Sequence, residues 1–400
     1  MSTHDDLAQA SPELHDATDA DAVDGVAPRW VATPKSADEV AALLRACAEH
    51  DLAVVARGGG TKLTWGAPPA RVDVVVDTGH LNRVVEHASG DLVVVAQAGV
   101  RLADLQQHLA SARQRLALDE TVPGSTVGGV IAASPSGPHR MATGTVRDLL
   151  IGVTMVRADG QVAKAGGKVV KNVAGYDLGK LLTGSFGTLG VITEAVFRLH
   201  PVPAAGRWVS ATVAGDLGGV LGSVLTSKTV PAALEVDQSL DGPPTVAVLV
   251  EGIPAGVEQR AAKVARLLGD AAEQSEIGPP WGSTYPWVAG GVALKLTCEL
   301  SAVPDVLAAA RDAGVSVRGS AGTGVLYGTV APDRAAAAVA VLRPVCVARG
   351  GSLVVLDAPA DVKSELDLWG PVGGLELMRR VKDLFDPDHR LAPGRFVGGI

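Results

Sequence analysis

Gly166 to Thr193 reads GGKVVKNVAGYDLGKLLTGSFGTLGVIT. Glycines at 166, 167, 175, 179, 184, 187 and 190 stand among Val169, Val170, Val173, Leu181, Leu182, Leu189, Val191 and Ile192, so tight backbone and buried strand share one segment. Glycine is favoured where the chain needs positive φ or where another body approaches the main chain closely. Alone, such a run reads as a turn system between core strands. Two clusters upstream shift the reading toward a ligand.

The first is Ala56-Arg57-Gly58-Gly59-Gly60-Thr61-Lys62, directly after the apolar run Leu52 to Val55. A strand ending in three glycines and a threonine presents successive N–H groups suited to phosphate oxygens, and Arg57 and Lys62 add positive charge. The second is Val122-Pro123-Gly124-Ser125-Thr126-Val127-Gly128-Gly129, followed by Ala132, Ala133, Ser134, Ser136 and Gly137. Small residues there let a long flat ligand lie against the backbone. Neither cluster fits G-x-G-x-x-G opening a helix or G-x-x-x-x-G-K-[ST], which argues against the ordinary dinucleotide fold and the P-loop.

In this order and at these separations, the wording RGGGT, PGSTVGG, KNVAGYDL and GSFGTLGVIT resembles the FAD-binding domain of the vanillyl-alcohol oxidase/PCMH superfamily, and within it the FAD-binding subunits of glycolate oxidases. The likeness runs from about Val31 to Pro203 and returns in Phe385-Asp386-Pro387 and Ala392-Pro393-Gly394-Arg395. It implies a two-lobed FAD-binding domain followed by a cap, with the pyrophosphate on the first glycine loop and the flavin ring turned toward the cap. It places Arg57, Gly58, Gly59, Gly60 and Thr61 at the pyrophosphate. Pro123, Gly124, Thr126, Val127, Gly128 and Gly129 then run along the cofactor, with Gly187, Gly190, Val191 and Ile192 beside it. Some relatives attach FAD through a histidine near the first loop; none stands between Val54 and Gly79, so the FAD is expected to be non-covalent. Relatives commonly end in Asn-Pro-Gly, and Ala392 stands where that Asn is usual.

Length and composition agree with two cores. The chain has 400 residues, 47% of them hydrophobic, and a net charge of −8 with no basic run, which argues against a nucleic-acid partner. Cys47, Cys298 and Cys346 are far apart and form no C-x-x-C, so no metal site is expected. The first 28 residues hold seven acidic groups and no lysine or arginine, and read as a flexible acidic tail rather than a secretory leader. No run of about eighteen apolar residues occurs, which implies a cytoplasmic chain meeting the inner face of a membrane only through partners.

The expected organisation is α+β. After the tail, 29–205 form the FAD domain, 206–358 a ferredoxin-like α+β cap of two tandem β-α-β-β-α-like units, and 359–400 a segment returning to the first domain. In the FAD domain, Ser36-Ala37-Asp38-Glu39 reads as a capping box, Leu52–Val55, Val72–Val76 and Leu92–Val95 as strands of one sheet, and Ala158-Asp159-Gly160 as a hairpin turn.

The implied reaction is oxidation of glycolate or another small 2-hydroxy acid to the 2-oxo acid. It needs a hydride acceptor, a group for the hydroxyl proton and a cation for the carboxylate. Lys171 or Arg140 could hold the carboxylate, and Tyr176 or His139 could handle the proton. Against these stand a structural Lys171–Asp177 pair, a core Tyr176 and a loop His139. Catalytic relatives carry a histidine metal motif in the cap, whereas no histidine occurs here between His200 and His389. The resemblance therefore implies an FAD-carrying subunit working with a sister flavin subunit and an iron–sulfur subunit. A self-sufficient FAD-dependent D-2-hydroxy-acid dehydrogenase and a non-catalytic structural subunit are the alternatives.

Overall fold

A computed structural model describes residues 2–168 and 177–400, in two compact units. The first comprises Met1–Pro135, Thr145–Pro201 and Val372–Ile400; the second, Ser136–Gly144 and Val202–Pro371. The return of the C-terminal segment to the first unit begins at Val372, and the short stretch Ser136–Gly144 groups with the second.

The acidic N-terminal segment is not a loose tail. Helix α1 (Thr3–Ala10) is capped by Ser2, whose hydroxyl accepts from Asp5 N at 3.2 Å while Asp5 accepts from Ser2 N at 3.1 Å. Leu7 is fully buried, which is worth about 1.5–3 kcal/mol. Strand β1 (Leu14–Asp16) pairs antiparallel with β2 (Trp30–Ala32). The carboxylates find partners: Glu13 on Lys35 at 2.6 Å, Asp6 on the His50 ring at 2.9 Å and Asp21 on Arg57 at 2.8 Å. Composition alone hid these distant partners.

Strands β3 (Val54–Arg57) and β4 (Val74–Asp77) complete the first sheet in the order β1-β2-β4-β3, with β2 and β3 both parallel to β4. Helix α2 (Ala37–Glu49) buries Val40, Leu43, Leu44 and Cys47. Ser36 accepts from Glu39 N at 3.1 Å, and the Glu39 carboxylate reaches back to Lys35 N at 2.9 Å, one residue earlier than a capping box requires. Burial pushes the Cys47 thiol up to about 12, so it is an inert core group.

A second sheet holds β5 (Val84–Ala88), β6 (Val93–Gln97), β8 (Leu150–Val156), β9 (Val162–Gly166) and β10 (Val191–Arg198), while the short β7 (Gln114–Arg115) pairs with β11 (His200–Pro201). The order is β5-β6-β10-β8-β9, antiparallel throughout. The run near Leu92–Val95 thus belongs here and not with Val72–Val76. Its alternate residues enter two different cores, Val94 with Phe197 and Val93 with Val196, which apolarity alone does not reveal. Helices α3 (Leu102–Ala110) and α4 (Val127–Ala133) pack on this sheet through Leu102, Leu105, Leu109, Val130 and Ile131.

The second unit is one eight-stranded antiparallel sheet built from two β-α-β-β-α-β repeats. The first has β12 (Ala205–Thr212), helix Leu217–Thr226, β13 (Ala233–Gln238), β14 (Thr245–Gly252), helix Pro254–Leu268 and β15 (Glu273–Ser275). The other has β16 (Val292–Thr297), helix Val303–Asp312, β17 (Ser316–Ser320), β18 (Val325–Val330), helix Ala335–Ala348 and β19 (Ser352–Asp357). The order β15-β12-β14-β13-β17-β18-β16-β19 gives both repeats the same internal arrangement, and pairing of β13 with β17 fuses them.

Candidate functional site

A groove in the first unit forms where β3 ends. Arg57 lies opposite Asp77 in the parallel register, and its guanidinium is held by Asp77 at 2.9 Å and Asp21 at 2.8 Å. Asp21 is held down at about 2, chiefly by its hydrogen bond from Arg57. That pair contributes stability above the ordinary carboxylate range and loses it only as pH falls toward 2. Arg57 is therefore committed to fixing the strand end. Thr78 closes it further, donating from its N–H at 2.8 Å and its hydroxyl at 3.0 Å to Arg57 O.

Gly58, Gly59, Gly60 and Thr61 then line the groove with Thr126, Gly128, Gly129, Gly187, Gly190 and Ile192. A Cβ on Gly58 would overlap Thr126 Oγ1, and one on Gly59 would overlap the carbonyl oxygen of Gly124. These glycines let the first loop lie against the second. Gly60, at φ +71°, has nothing within 4 Å of its Cβ position. Its glycine answers to backbone conformation.

Thr126 caps α4, accepting from Gly129 N at 3.4 Å, while Val127 N and Gly128 N donate to Val100 O and Ala98 O at 2.9 and 2.7 Å. These amides are already spent within the protein. Val127 and Val191 are each 1% exposed and belong to the core, and Pro123 and Gly124 form the turn behind Gly59 rather than the groove wall. Thus four residues expected along the cofactor support the groove from behind or pack beneath it.

Several lining residues escaped the motif reading. Phe186, at φ +56°, packs against Phe396 with ring centroids 5.7 Å apart. Arg395 is 3% exposed and donates to Leu63 O at 2.6 Å and Trp65 O at 2.8 Å. Ala98, Ala132 and Ala133 keep the walls low. Lys62 lines the same groove, donating to Thr61 Oγ1 at 2.8 Å and Ser125 Oγ at 2.5 Å. Burial lowers it to about 8, with Glu120 pulling the other way. Ala392, where relatives have Asn, is 1% exposed at φ +44°, its N–H donating to Val54 O.

Lys171 and Tyr176 lie outside the described residues. His139 belongs to the second unit, 3.5 Å from Glu251 through Nε2, with side chains 22% and 16% exposed. Its neighbour Arg140 donates to Ser136 Oγ at 2.8 Å, and that hydroxyl lies 3.1 Å from Tyr327 OH. Tyr285 donates to Ser136 O at 3.1 Å and stacks 4.1 Å from Tyr327. Among the described residues, no group of three or more His, Cys, Asp or Glu is arranged to hold a metal, and no helix is long and apolar enough to cross a membrane.

The groove suits a dinucleotide: low walls, an open loop of backbone at one end, a lysine beside it, and apolar Ile192 and Phe186 further along. Residues 28–166 match the family described as an FAD binding domain. The chain carries an FAD-binding domain and is an FAD-dependent oxidoreductase. FAD is its cofactor. Glycolate oxidase subunit GlcD of Bacillus subtilis is 28% identical over 92% of this chain and 88% of its own length. D-lactate dehydrogenase of Archaeoglobus fulgidus is 38% identical over 43% of this chain and 38% of its own. In three dimensions, p-cresol methylhydroxylase aligns with 98% of this chain and 96% of its own at a TM-score of 0.75 and 14% identity, a likeness of fold.

Proposed function

We propose that this protein is the FAD-carrying subunit of a glycolate oxidase complex, oxidising glycolate or a related 2-hydroxy acid to the 2-oxo acid and passing the electrons on through a sister flavin subunit and an iron–sulfur subunit. The observation that carries this reading is the groove of glycine loops and Lys62 in a chain aligned over nearly its whole length with a glycolate oxidase subunit. Bound FAD supplies the two-electron oxidant. Gly58, Gly59, Gly60, Thr61 and Lys62 hold its diphosphate, while Ala132, Ala133, Phe186 and Ile192 bound the groove beyond. The tandem β-α-β-β-α-β repeats of the second unit support reading it as a ferredoxin-like cap.

His139 is the one histidine in the second unit, so it is the candidate acceptor for the substrate hydroxyl proton. Glu251, 3.5 Å from its Nε2, would pair with the imidazolium that forms. Arg140 follows it and offers a guanidinium to the carboxylate. His139→Gln is expected to retain flavin and lower kcat by about 10²–10⁴-fold, the usual worth of a positioned acid–base group. Unchanged turnover in that variant removes His139 from the chemistry.

The purified chain should show flavin absorbance. Anaerobic glycolate should leave it oxidised until the sister subunit is added and supplies the rest of the substrate site to which His139 and Arg140 contribute. Bleaching of the isolated chain by glycolate or D-lactate would make it a self-sufficient dehydrogenase, a reading favoured by the 38% identity to the archaeal D-lactate dehydrogenase over 43% of this chain. A colourless protein that takes up no FAD would overturn the groove assignment.

A further inference from the structure

We propose that Lys382 and Asp386, a buried ion pair outside the groove, set its affinity for FAD by holding the Ser185–Gly190 loop against the C-terminal segment. The inference rests on the groove being the FAD site.

Both side chains are 0% exposed, and Lys382 Nζ lies 2.6 Å from Asp386 Oδ2. A buried ammonium survives only if its donors are satisfied. Here its other two go to carbonyl oxygens far apart in sequence, Thr188 O and Leu391 O, both at 2.8 Å. Asp386 in turn accepts from Arg390 N at 3.1 Å and Leu391 N at 2.7 Å. One lysine thus joins three pieces of backbone: its own helix Leu375–Phe385, the turn carrying Phe186 and Gly187, and the stretch after Asp386.

That last stretch reaches the opposite wall. Arg390 O accepts from Val54 N at 2.7 Å and Ala392 N donates to Val54 O at 2.8 Å, tying it beside β3. Three residues on, Arg395 donates to Leu63 O and Trp65 O, beyond the glycine loop. Phe396 lies on Phe186. The segment therefore touches both loops that bound the groove, and the ion pair fixes its spacing from the Phe186–Gly187 side. Phe186 stands at positive φ, a conformation bulky residues adopt only when their surroundings impose it.

Buried ion pairs are poor sources of net stability, and replacing both partners by apolar groups is often neutral or stabilising. That separates positioning from folding. In Lys382→Met/Asp386→Leu no orphan charge remains, but Thr188 O and Leu391 O lose their shared donor, and Arg390 N and Leu391 N lose their acceptor. The thermal midpoint of the apoprotein should fall modestly, while the Kd for FAD, read from flavin fluorescence, should increase about 10-fold or more, beyond what that loss of stability accounts for and on the scale on which supporting partners act. Lys382→Gln/Asp386→Asn removes both charges yet keeps a side-chain donor and acceptor for the backbone groups; it should give a smaller increase in the same direction and guards against an apolar double variant that fails to fold. FAD affinity within twofold of wild type in the folded variants would overturn the proposal, as would affinity falling only in step with thermal stability. Flavin loss on Gly59→Ala alongside retention in these variants would sink the positioning role alone. Retention in all of them would sink the groove.

Discussion

Gly59→Ala should yield a protein with little or no bound flavin. One methyl group suffices because the Cβ would fall on the carbonyl oxygen of Gly124, part of the turn on which the second loop depends. Backbone cannot rotate away as a side-chain tip can, so the loops must separate. Overpacking of this kind costs about 1–3 kcal/mol, and if it is relieved by distorting the groove, affinity falls by up to roughly 100-fold. An added carboxylate, as in Gly59→Asp, introduces repulsion from the diphosphate on top of that displacement. Gly60→Ala is the control. Its Cβ meets nothing within 4 Å, and its cost is that of alanine at positive φ, about 1–2 kcal/mol of folding stability. Gly60→Ala should therefore lower the thermal midpoint and lose less flavin than Gly59→Ala. The reverse order of flavin content would show that Gly59 is not held by the Gly124 turn.

That contrast marks how far the sequence could be read. The three glycine stretches signalled close approach of something to backbone, and their order pointed to FAD. Which glycine faces a ligand and which faces another loop was hidden, because Gly58 and Gly59 have their reason in Thr126 and Gly124, more than sixty residues downstream. Val127 and Val191 sit inside motifs that resemble cofactor contacts, but the helix and strand carrying them alternate between groove and core, and both face the core. Arg57 read as positive charge for the phosphates; it lines the groove, and its pairing with Asp21 and Asp77 was not legible. The repeats of the second unit were legible because most of their strands are discrete apolar runs between helices of ordinary length; β15, the exposed Glu273-Gln274-Ser275, was not. Strand partnership in the first unit was not, since Val93–Val95 is equally apolar whichever sheet it joins. Arg395 and Lys382 reach their partners from the far end of the chain, and no local pattern announces such contacts.

Lys62 gives the FAD affinity a pH dependence. Burial disfavours its charged form and brings it to about 8 in the apoprotein, against an ordinary value of 10.5. Below about pH 8 the lysine is charged on arrival of the cofactor, and a diphosphate beside it supplies the counter-charge that burial withheld. Above that, binding must first return a proton, so the Kd should rise by about tenfold per pH unit. Folding of the apoprotein carries the opposite sign. Between about 8 and 10.5 the unfolded chain binds more protons at this site than the folded one, so its contribution to stability increases with pH while FAD affinity declines. Lys62→Met should abolish the alkaline limb and weaken binding at neutral pH by roughly 10- to 100-fold, the worth of a hydrogen bond to a charged group. Lys62→Arg, charged throughout, should restore part of the affinity and keep it flat into the alkaline range. FAD titrations of the three proteins across about pH 6.5 to 9.5 distinguish these outcomes. A wild-type Kd that stays constant over that range, or a methionine variant binding as tightly as wild type, would place the diphosphate away from Lys62.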